Sequence, residues 1–137
     1  MFGLSSRTIY AIAAIFILAQ KSGERPVPIK EIAAEAHIPR NFLEQILLEL
    51  KKAGILASTK GAYGGYKLAR SASEITLKEV VTTLEDGYFE TICKSDHPAL
   101  KLFWHEVYDK IAPQWEIPLD ELLLCQQKAM QNFTYTI

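Results

Sequence analysis

The feature that most constrains the fold is a pair of short helical patterns separated by a tight break. Apolar residues recur at three- and four-residue spacing over about residues 28–36, which predicts one buried stripe on a first helix. The segment His37-Ile38-Pro39 interrupts this pattern, because a residue before proline avoids the helical region. A second helix, predicted over residues 39–53, is stopped by Gly54. Its apolar stripe consists of Phe42, Leu43, Ile46, Leu47 and Leu50.

A glycine-rich loop between two short apolar runs follows the two helices. Residues 55–58 predict one strand and residues 65–69 the return strand of a hairpin. Gly61, Gly64 and Gly65 allow positive φ angles and a close approach of the backbone to another surface. The order helix, turn, helix, wing is typical of proteins that place one helix in a DNA groove and a hairpin beside it.

The polar residues left outside the second stripe are candidates for base contacts. Arg, Asn, Glu and Gln side chains near the start of a helix can reach base edges in the major groove. The wing can lie against the phosphate backbone or in a minor groove, with Lys supplying charge. Spacing alone equally fits an ordinary helical hairpin with a solvated face. The predicted DNA-binding residues are Arg40, Asn41, Glu44, Gln45, Lys60, Gly61, Tyr63, Gly64, Gly65 and Tyr66.

The distribution of charge favours the DNA interpretation. The formal net charge is −1, but residues 1–70 hold ten Lys/Arg and five Asp/Glu, which gives this half +5. Residues 71–137 hold five Lys/Arg and eleven Asp/Glu, which gives −6. The basic half contains the predicted helix-turn-helix and wing, as expected for a face that binds a polyanion. A winged-helix module for protein contacts, by contrast, predicts neutral residues on that face.

The sequence argues against a nucleotide-binding loop and against an enzyme. The glycine-rich loop lacks the G-x-x-x-x-G-K-[ST] form, and no helix starts directly after it. Serines and histidines occur, but not in a motif that makes a nucleophile. The sequence therefore predicts a protein without enzymatic activity.

The segment at 39–70 carries a family resemblance. It reads PRNFLEQILLELKKAGILASTKGAYGGYKLAR and closely resembles the signature of the IscR-like transcription regulators, the Rrf family of winged helix-turn-helix proteins. The ITLKEVVTTLEDG segment at 75–87 is in register with the same pattern. The resemblance implies a homodimeric regulator that binds a roughly palindromic operator. It maps the exposed start of the recognition helix to Arg40, Asn41, Phe42, Glu44 and Gln45, with the core as the alternative position for Phe42, which begins the apolar stripe. Lys60 stands where the family has Arg, and Ala62-Tyr63 where it commonly has Pro-Gly, so the wing contact is expected to differ in detail.

A long helix is predicted from about Pro98, with a wide aromatic and aliphatic stripe. One helix of a small domain rarely buries such bulky faces within its own chain, so a second copy of the chain is expected to cover it. The alternative is that the N-terminal helix covers the stripe within one chain. Pro113 is expected to end or kink the helix. The predicted dimer residues are Leu100, Phe103, Trp104, Val107, Tyr108 and Ile111.

Two further helices flank the long one in sequence. A short helix is predicted over residues 76–85, with Ser73 as its cap. A last helix is predicted over residues 118–131. Its residues expected to point partly inward are Leu119, Leu122, Leu123 and Cys125.

The start of the chain predicts a buried helix of about residues 5–21, capped by Ser5 or Ser6. It lacks the basic cluster and the small-residue cleavage site of a signal peptide. No apolar run reaches the length that spans a bilayer. The two cysteines do not make a disulfide framework, so a cytoplasmic protein is expected.

Cysteine content also bears on cofactors. Cluster-bearing members of the resembled family place three cysteines in the loop before the dimerisation helix, whereas this chain has one there, Cys93, with His97 four residues later. Iron–sulfur clusters are held mainly by thiolates, usually four. No cofactor and no metal site are therefore expected. Cys93 and His97 are the possible sensor residues. They could act by thiol chemistry or by metal ligation, or have no sensing role. Cys125 is expected to be a small buried apolar residue.

Together the patterns predict a mainly α protein, in which a winged helix-turn-helix domain with a two-stranded β wing precedes a long dimerisation helix. The expected divisions are a DNA-binding domain at 1–86, an effector or sensor loop at 87–97, and a dimerisation helix with a returning C-terminal helix at 98–137. The expected partners are double-stranded DNA, a second copy of the chain and a possible small-molecule or protein effector, with no membrane.

Overall fold

The protein is described by a computed structural model that covers residues 3–21, 25–88 and 95–136. Within these residues it has six helices and one two-stranded antiparallel sheet, which confirms the predicted mainly α fold with a β wing. None of these helices has the length and apolar character needed to cross a membrane. The elements are α1 Ser6–Gln20, α2 Ile29–Ala36, α3 Arg40–Lys52, β1 Leu56–Thr59, β2 Gly65–Leu68, α4 Leu77–Leu84, α5 Pro98–Trp115 and α6 Leu119–Thr136.

Helix α1 lies at the centre of the core and packs against α2, α3, α4 and α6. Ala11 and Ala14 are fully buried, and these small side chains let the neighbouring helices approach closely. Ile15 and Leu18 fill the space between those helices. Burying such aliphatic side chains contributes roughly 1.5–3 kcal/mol each. The core is therefore built around the N-terminal helix, on which the helix-turn-helix rests.

The N-terminus of α1 is held by a carboxylate from the end of α4. Oε1 of Glu85 accepts hydrogen bonds from the Ser5 backbone N–H at 2.8 Å and from the fully buried Thr8 hydroxyl at 2.7 Å. The Ser5 hydroxyl in turn accepts from the Thr8 N–H, as predicted for the cap. A negative charge is favourable at the positive end of a helix. Hydrogen bonds from Ser5, and then from Thr8, lower the pKa of Glu85.

The turn between α2 and α3 contains no glycine, yet one of its residues has a positive φ angle. His37 adopts a left-handed backbone conformation with φ 55°, and the Ile38 N–H donates to the Ala33 carbonyl at 3.1 Å. Pro39 is the cap of α3, and its carbonyl accepts from the Leu43 N–H. Helices α2 and α3 therefore begin one residue later than predicted, because each proline supplies a capping carbonyl from an extended conformation.

The wing is joined to the helix-turn-helix by a backbone pairing outside its two strands. Val27, just before α2, exchanges two hydrogen bonds of 2.8 Å with Tyr66 of β2. A Cβ atom on Gly65 would lie 2.2 Å from the Val27 carbonyl oxygen, so only glycine permits this approach. Tyr66 and Leu68 face the core while Lys67 is exposed. The wing is thus fixed beside α2.

The C-terminal part returns to the same body. The Leu119 N–H donates to the Ile75 carbonyl at 2.9 Å, and the Leu77 N–H donates to the Ile117 carbonyl at 3.1 Å. Helix α6 then packs on α1, where the Gln20 amide donates to Gln126 at 2.7 Å. These contacts anchor the turn between α5 and α6 to the start of α4.

Three sequence predictions about these helices are wrong, and one is wrong in part. Pro113 does not end α5, which continues to Trp115, because the missing N–H removes one internal hydrogen bond and the helix can go on for two residues. The predicted alternative, a kink at Pro113, stays a prediction. Helix α4 is capped by Thr76, whose hydroxyl accepts from the Glu79 N–H, and not by Ser73. Helix α6 extends past residue 131 to Thr136. Cys125 is exposed, because α6 packs on the core through Leu119, Leu122 and Leu123, and Cys125 lies about 110° around the helix from them.

We predict that Gly65→Ala loosens the wing. The new Cβ would displace Val27 and break both hydrogen bonds to Tyr66, at roughly 1 kcal/mol each, in addition to the cost of the backbone angle. Gly61→Ala is the matched control, because Gly61 also has a positive φ but a Cβ there meets open space. Denaturant unfolding measures both. An equal loss for the two variants would contradict the account.

We predict that Glu85→Gln makes the free energy of unfolding less dependent on pH in the acidic range. The pKa of Glu85 is lowered in the folded protein, so its stabilisation is present above its ordinary value of 4.5 and is lost as the pH falls through the folded value. Wild type should therefore lose more free energy of unfolding than Glu85→Gln on acidification below about pH 4.5. Asp86→Asn, at the exposed neighbouring position, should retain the wild-type profile.

Candidate nucleic-acid interface

Helix α3 buries one side and exposes the other. Leu43, Ile46, Leu47 and Leu50 are at most 1% exposed. The predicted base-contacting residues all lie on the exposed side, and one pair of them interacts. Nε of Arg40 lies 3.5 Å from Oε1 of Glu44, one turn along the helix. The exposed predicted residues are Arg40, Asn41, Glu44 and Gln45.

Two apolar side chains on α3 are also exposed. Phe42 fits the apolar stripe by spacing and the exposed start of α3 by the family resemblance, and the structure decides for the second, with Phe42 56% exposed. Its ring lies beside that of Tyr10, with centroids 6.5 Å apart. Leu48 is 45% exposed and was not singled out by the sequence pattern. The apolar stripe of α3 is therefore narrower than predicted at its N-terminal end, and its outer face is not wholly polar.

A groove of about 430 Å³ lies between α2, α3 and the wing. Four cationic side chains line it, and no acidic residue in the described parts of the chain does. Lys30 comes from the first turn of α2, and Lys51 from the last turn of α3. Arg40 and Lys60 complete the set from the start of α3 and from the wing. The sequence analysis selected the last two residues but missed Lys30 and Lys51, although Arg40 and Lys51 share one helix face at a spacing of three turns.

We call this feature the cationic groove, defined by Lys30, Arg40, Lys51 and Lys60. Its floor includes the backbone of Gly61, Gly64 and Gly65. A Cβ on Gly64 would lie 2.2 Å from the Thr59 carbonyl oxygen, so the loop can turn back this sharply only with glycine there. A Cβ on Gly61 would meet open space, so the wing backbone is open to a ligand of the groove at that residue.

The other wing residues differ in exposure. Tyr63 lies at the tip and is 87% exposed. Tyr66 lines the groove but is half-buried against the core. The wing therefore offers one freely accessible ring at its tip and one anchored ring at its base.

The cations of the basic half divide into two groups by their partners. Arg7 pairs with Glu49, Arg70 pairs with Glu79, and Lys21 binds both Glu31 and Glu35. The hydrogen bond to Glu31, and then that to Glu35, raises the pKa of Lys21. Across the described parts of the chain, no ion pair involves Lys30, Lys51, Lys52, Lys60 or Lys67. The uncompensated charge is therefore concentrated on the side of α3 and the wing.

The predicted sensor residues are only partly described. Cys93 lies outside the described residues. His97 caps α5, because its Nδ1 accepts a hydrogen bond of 3.2 Å from the Ala99 N–H. In the described residues, no group of three or more His, Cys, Asp or Glu side chains is arranged to hold a metal ion.

Comparison with known proteins identifies the family. Residues 4–116 match the sequence profile of the Rrf2 family, whose description is "Iron-dependent Transcriptional regulator". The chain belongs to the Rrf2 family. It is 33% identical over 128 residues to the HTH-type transcriptional regulator IscR of Pectobacterium carotovorum, covering 88% of this chain and 78% of that protein.

Solved structures agree with the family assignment. The structure of CymR, described as the global cysteine regulator of B. subtilis, has a TM-score of 0.82 and 29% identity, over 89% of this chain and 96% of that one. The structure of T. potens IscR has a TM-score of 0.79 and 33% identity, over 93% and 90% of the two chains. The predicted IscR-like, Rrf-family resemblance is confirmed, and this Rrf2-family chain is a DNA-binding transcriptional regulator, not an enzyme.

The family description names iron, and the cysteines of this chain are the residues that could hold it in an iron–sulfur cluster. The whole chain has two cysteines, Cys93 and Cys125. Cys125 is exposed on α6, beyond the segment where the cluster-bearing pattern places its thiols. One chain therefore lacks the three closely spaced thiolates of that pattern, and these residues do not fit a cluster held in that way.

Proposed function

We propose that this Rrf2-family regulator binds a roughly palindromic operator as a homodimer, with α3 in the major groove and the wing against the adjacent backbone. The cationic groove supports this most directly, because it joins the start of α2, both ends of α3 and the wing into one surface with no acidic residue among its described lining. A continuous line of phosphates is the ligand that fits such a surface. The cytoplasm, where operator DNA lies, is the compartment that this proposal assigns.

The proposed contacts divide by chemistry. Asn41, Glu44 and Gln45 read base edges, because amide groups pair with adenine and a carboxylate accepts from the cytosine amino group. Arg40 bonds either a guanine edge or a phosphate, and its contact with Glu44 holds both side chains in place before DNA arrives. Lys60 binds phosphate through the wing, together with the backbone of Gly61, Gly64 and Gly65, which lines the groove. Tyr63 and Tyr66 are the proposed aromatic contacts of the wing.

The proposed dimer contact is α5. None of its residues is buried within one chain, and Leu100 and Phe103 are 47% and 52% exposed. The alternative cover, α1, packs instead against α2, α3, α4 and α6. Phe103 and Trp104 already stack edge to face, with ring centroids 5.2 Å apart, and so present a preformed aromatic surface. The proposed interface residues are Leu100, Phe103, Trp104, Val107, Tyr108 and Ile111.

We further propose that the regulator does not sense through a three-cysteine cluster. Cys93 and His97 are the candidate sensor residues, and a small molecule or a protein near α5 is the alternative effector. Nδ1 of His97 is engaged in the helix cap, which leaves Nε2 for any ligand. Signal input and DNA binding would then occupy different parts of the chain, the segment at 87–97 and the surface formed by α3 and the wing.

We predict that affinity for duplex DNA falls steeply between low and physiological salt, since bound lysines release counterions. Lys60→Ala should weaken binding to selected and random duplexes alike, and should reduce the slope of log K against log salt by about 1. Lys128→Ala is the control, because Lys128 is exposed on α6, away from the cationic groove. Fluorescence anisotropy titrations measure both. A slope near zero for wild type would refute the DNA-binding proposal.

We predict that Trp104→Ala shifts the protein towards monomer in light scattering and weakens operator binding, because two half-sites are no longer held together. Leu102→Ala is the matched control. Leu102 is 60% exposed on the same helix, but about 200° around it from Trp104. Equal dissociation of both variants would show that the dimer uses another face of α5, and a monomeric wild type at micromolar concentration would refute the dimer.

We predict that protein purified without oxygen is colourless and contains neither stoichiometric iron nor acid-labile sulfide, because one chain cannot supply three clustered thiolates. Visible absorption and iron analysis are the measurements, with Cys93→Ala as the comparison. A brown wild-type preparation whose iron is lost in Cys93→Ala would overturn the prediction.

A further inference from the structure

The outer face of α3 has an apolar side chain at its centre. Leu48 is 45% exposed and lies about 150° around the helix from the middle of the buried side formed by Leu43, Ile46, Leu47 and Leu50. Positions three, four and seven residues away are its neighbours on the helix surface. Those neighbours within α3 are all exposed and polar: Asn41, Glu44, Gln45, Lys51 and Lys52.

Single exposed apolar residues are common and need no function. The position of Leu48 is what distinguishes it. It lies about one turn beyond Glu44 and Gln45, on the helix face proposed to read bases. Lys51 and Lys52 follow it without an ion pair among the described residues. A surface with this charge around one apolar group matches the floor of a DNA groove better than it matches an apolar protein partner.

We propose that Leu48 contacts the C5-methyl group of a thymine in the major groove, so that each protomer selects a T·A pair there. This inference rests on the proposed DNA binding and deepens it. Thymine is the base that presents a methyl group in the major groove. A leucine side chain has no donor or acceptor, so facing it with cytosine would leave the cytosine amino group dehydrated and unpaired. Leu48 therefore favours thymine by contact and disfavours cytosine by desolvation.

The thymine read by Leu48 is distinct from the base pairs read by the first turn of α3. Leu48 lies seven residues after Asn41, which places it about 10 Å farther along the helix axis. Phe42 is the other exposed apolar residue of α3, but its ring lies against Tyr10 at the edge of the face. Leu48 is thus the exposed apolar side chain of α3 that lies in line with the residues proposed to read bases.

The test begins with a selected operator. Duplexes enriched from a random pool by the full-length protein supply the sequence, and each thymine in one half-site is then replaced by deoxyuridine, which removes only the methyl group. Binding is measured by fluorescence anisotropy at fixed salt. At one thymine, wild type should bind the uracil duplex about fourfold more weakly, the factor expected for one buried methyl group. Leu48→Ala should bind the two duplexes equally.

Two features keep the test specific. Alanine favours helix at least as well as leucine, so an exposed Leu48→Ala should fold, and circular dichroism checks this. Leu48→Met, which keeps an apolar side chain of similar size, should retain most of the discrimination. Leu48→Ala should also lose less affinity for random duplexes than for the selected operator.

The outcomes separate the two proposals. An enriched sequence whose binding is indifferent to uracil at every thymine would overturn the thymine contact and leave DNA recognition standing. Discrimination that persists in Leu48→Ala would assign the methyl contact to another residue and likewise overturn it. Failure to enrich any sequence would refute the proposed function, and this inference with it.

Discussion

The wing lies beside the helix-turn-helix because the backbone of β2 passes directly against the segment before α2. Val27 and Tyr66 exchange two hydrogen bonds, and the space for them exists because Gly65 has no side chain. This pairing sets the distance between Lys60 on the wing and Lys30 at the start of α2. The width of the cationic groove therefore depends on a glycine whose own backbone lines the groove.

The pairing of charges explains why a protein with a net charge of −1 has a strongly cationic surface. Acidic residues of the basic half neutralise cations that face other elements, as Glu49 does for Arg7 and Glu31 does for Lys21. The lysines of the groove and of the end of α3 have no such partners in the described residues. Exposed ion pairs contribute little to stability, so their main effect here is to determine where positive charge remains available.

Helix α1 connects the recognition helix to the region that follows α4. Its N-terminus is bound by Glu85, and two residues after Glu85 the backbone turns at Gly87, with φ 64°. The same helix end contacts α3 twice, through the Arg7–Glu49 ion pair and through the Tyr10–Phe42 ring contact. The position of α1 thus constrains both the start of the 87–97 segment and the orientation of α3. Thr8, whose hydroxyl donates to Glu85, is fully buried at this end of α1.

The sequence was sufficient to predict the order of helices, the wing and the polar face of α3, because each depends on local periodicity, proline and glycine. It was insufficient where exposure depends on what a neighbouring element covers. Phe42 fits the buried stripe by spacing, yet it is 56% exposed even with the ring of Tyr10 from α1 beside it. Cys125 fits an amphipathic helix, yet α6 packs on the core through Leu119, Leu122 and Leu123 and leaves Cys125 exposed.

The proposed base-reading face of α3 also contains a residue that the sequence alone did not identify. Periodicity assigns apolar residues to the core by default, so an apolar residue outside the stripe carries no signal of its own. Leu48 became informative only when the fold showed its polar neighbours to be exposed and the adjacent lysines to be without acidic partners in the described residues. A base contact made by a methyl group needs no hydrogen-bond donor, acceptor or charge. Such contacts are therefore the part of DNA recognition that is hardest to predict from sequence motifs.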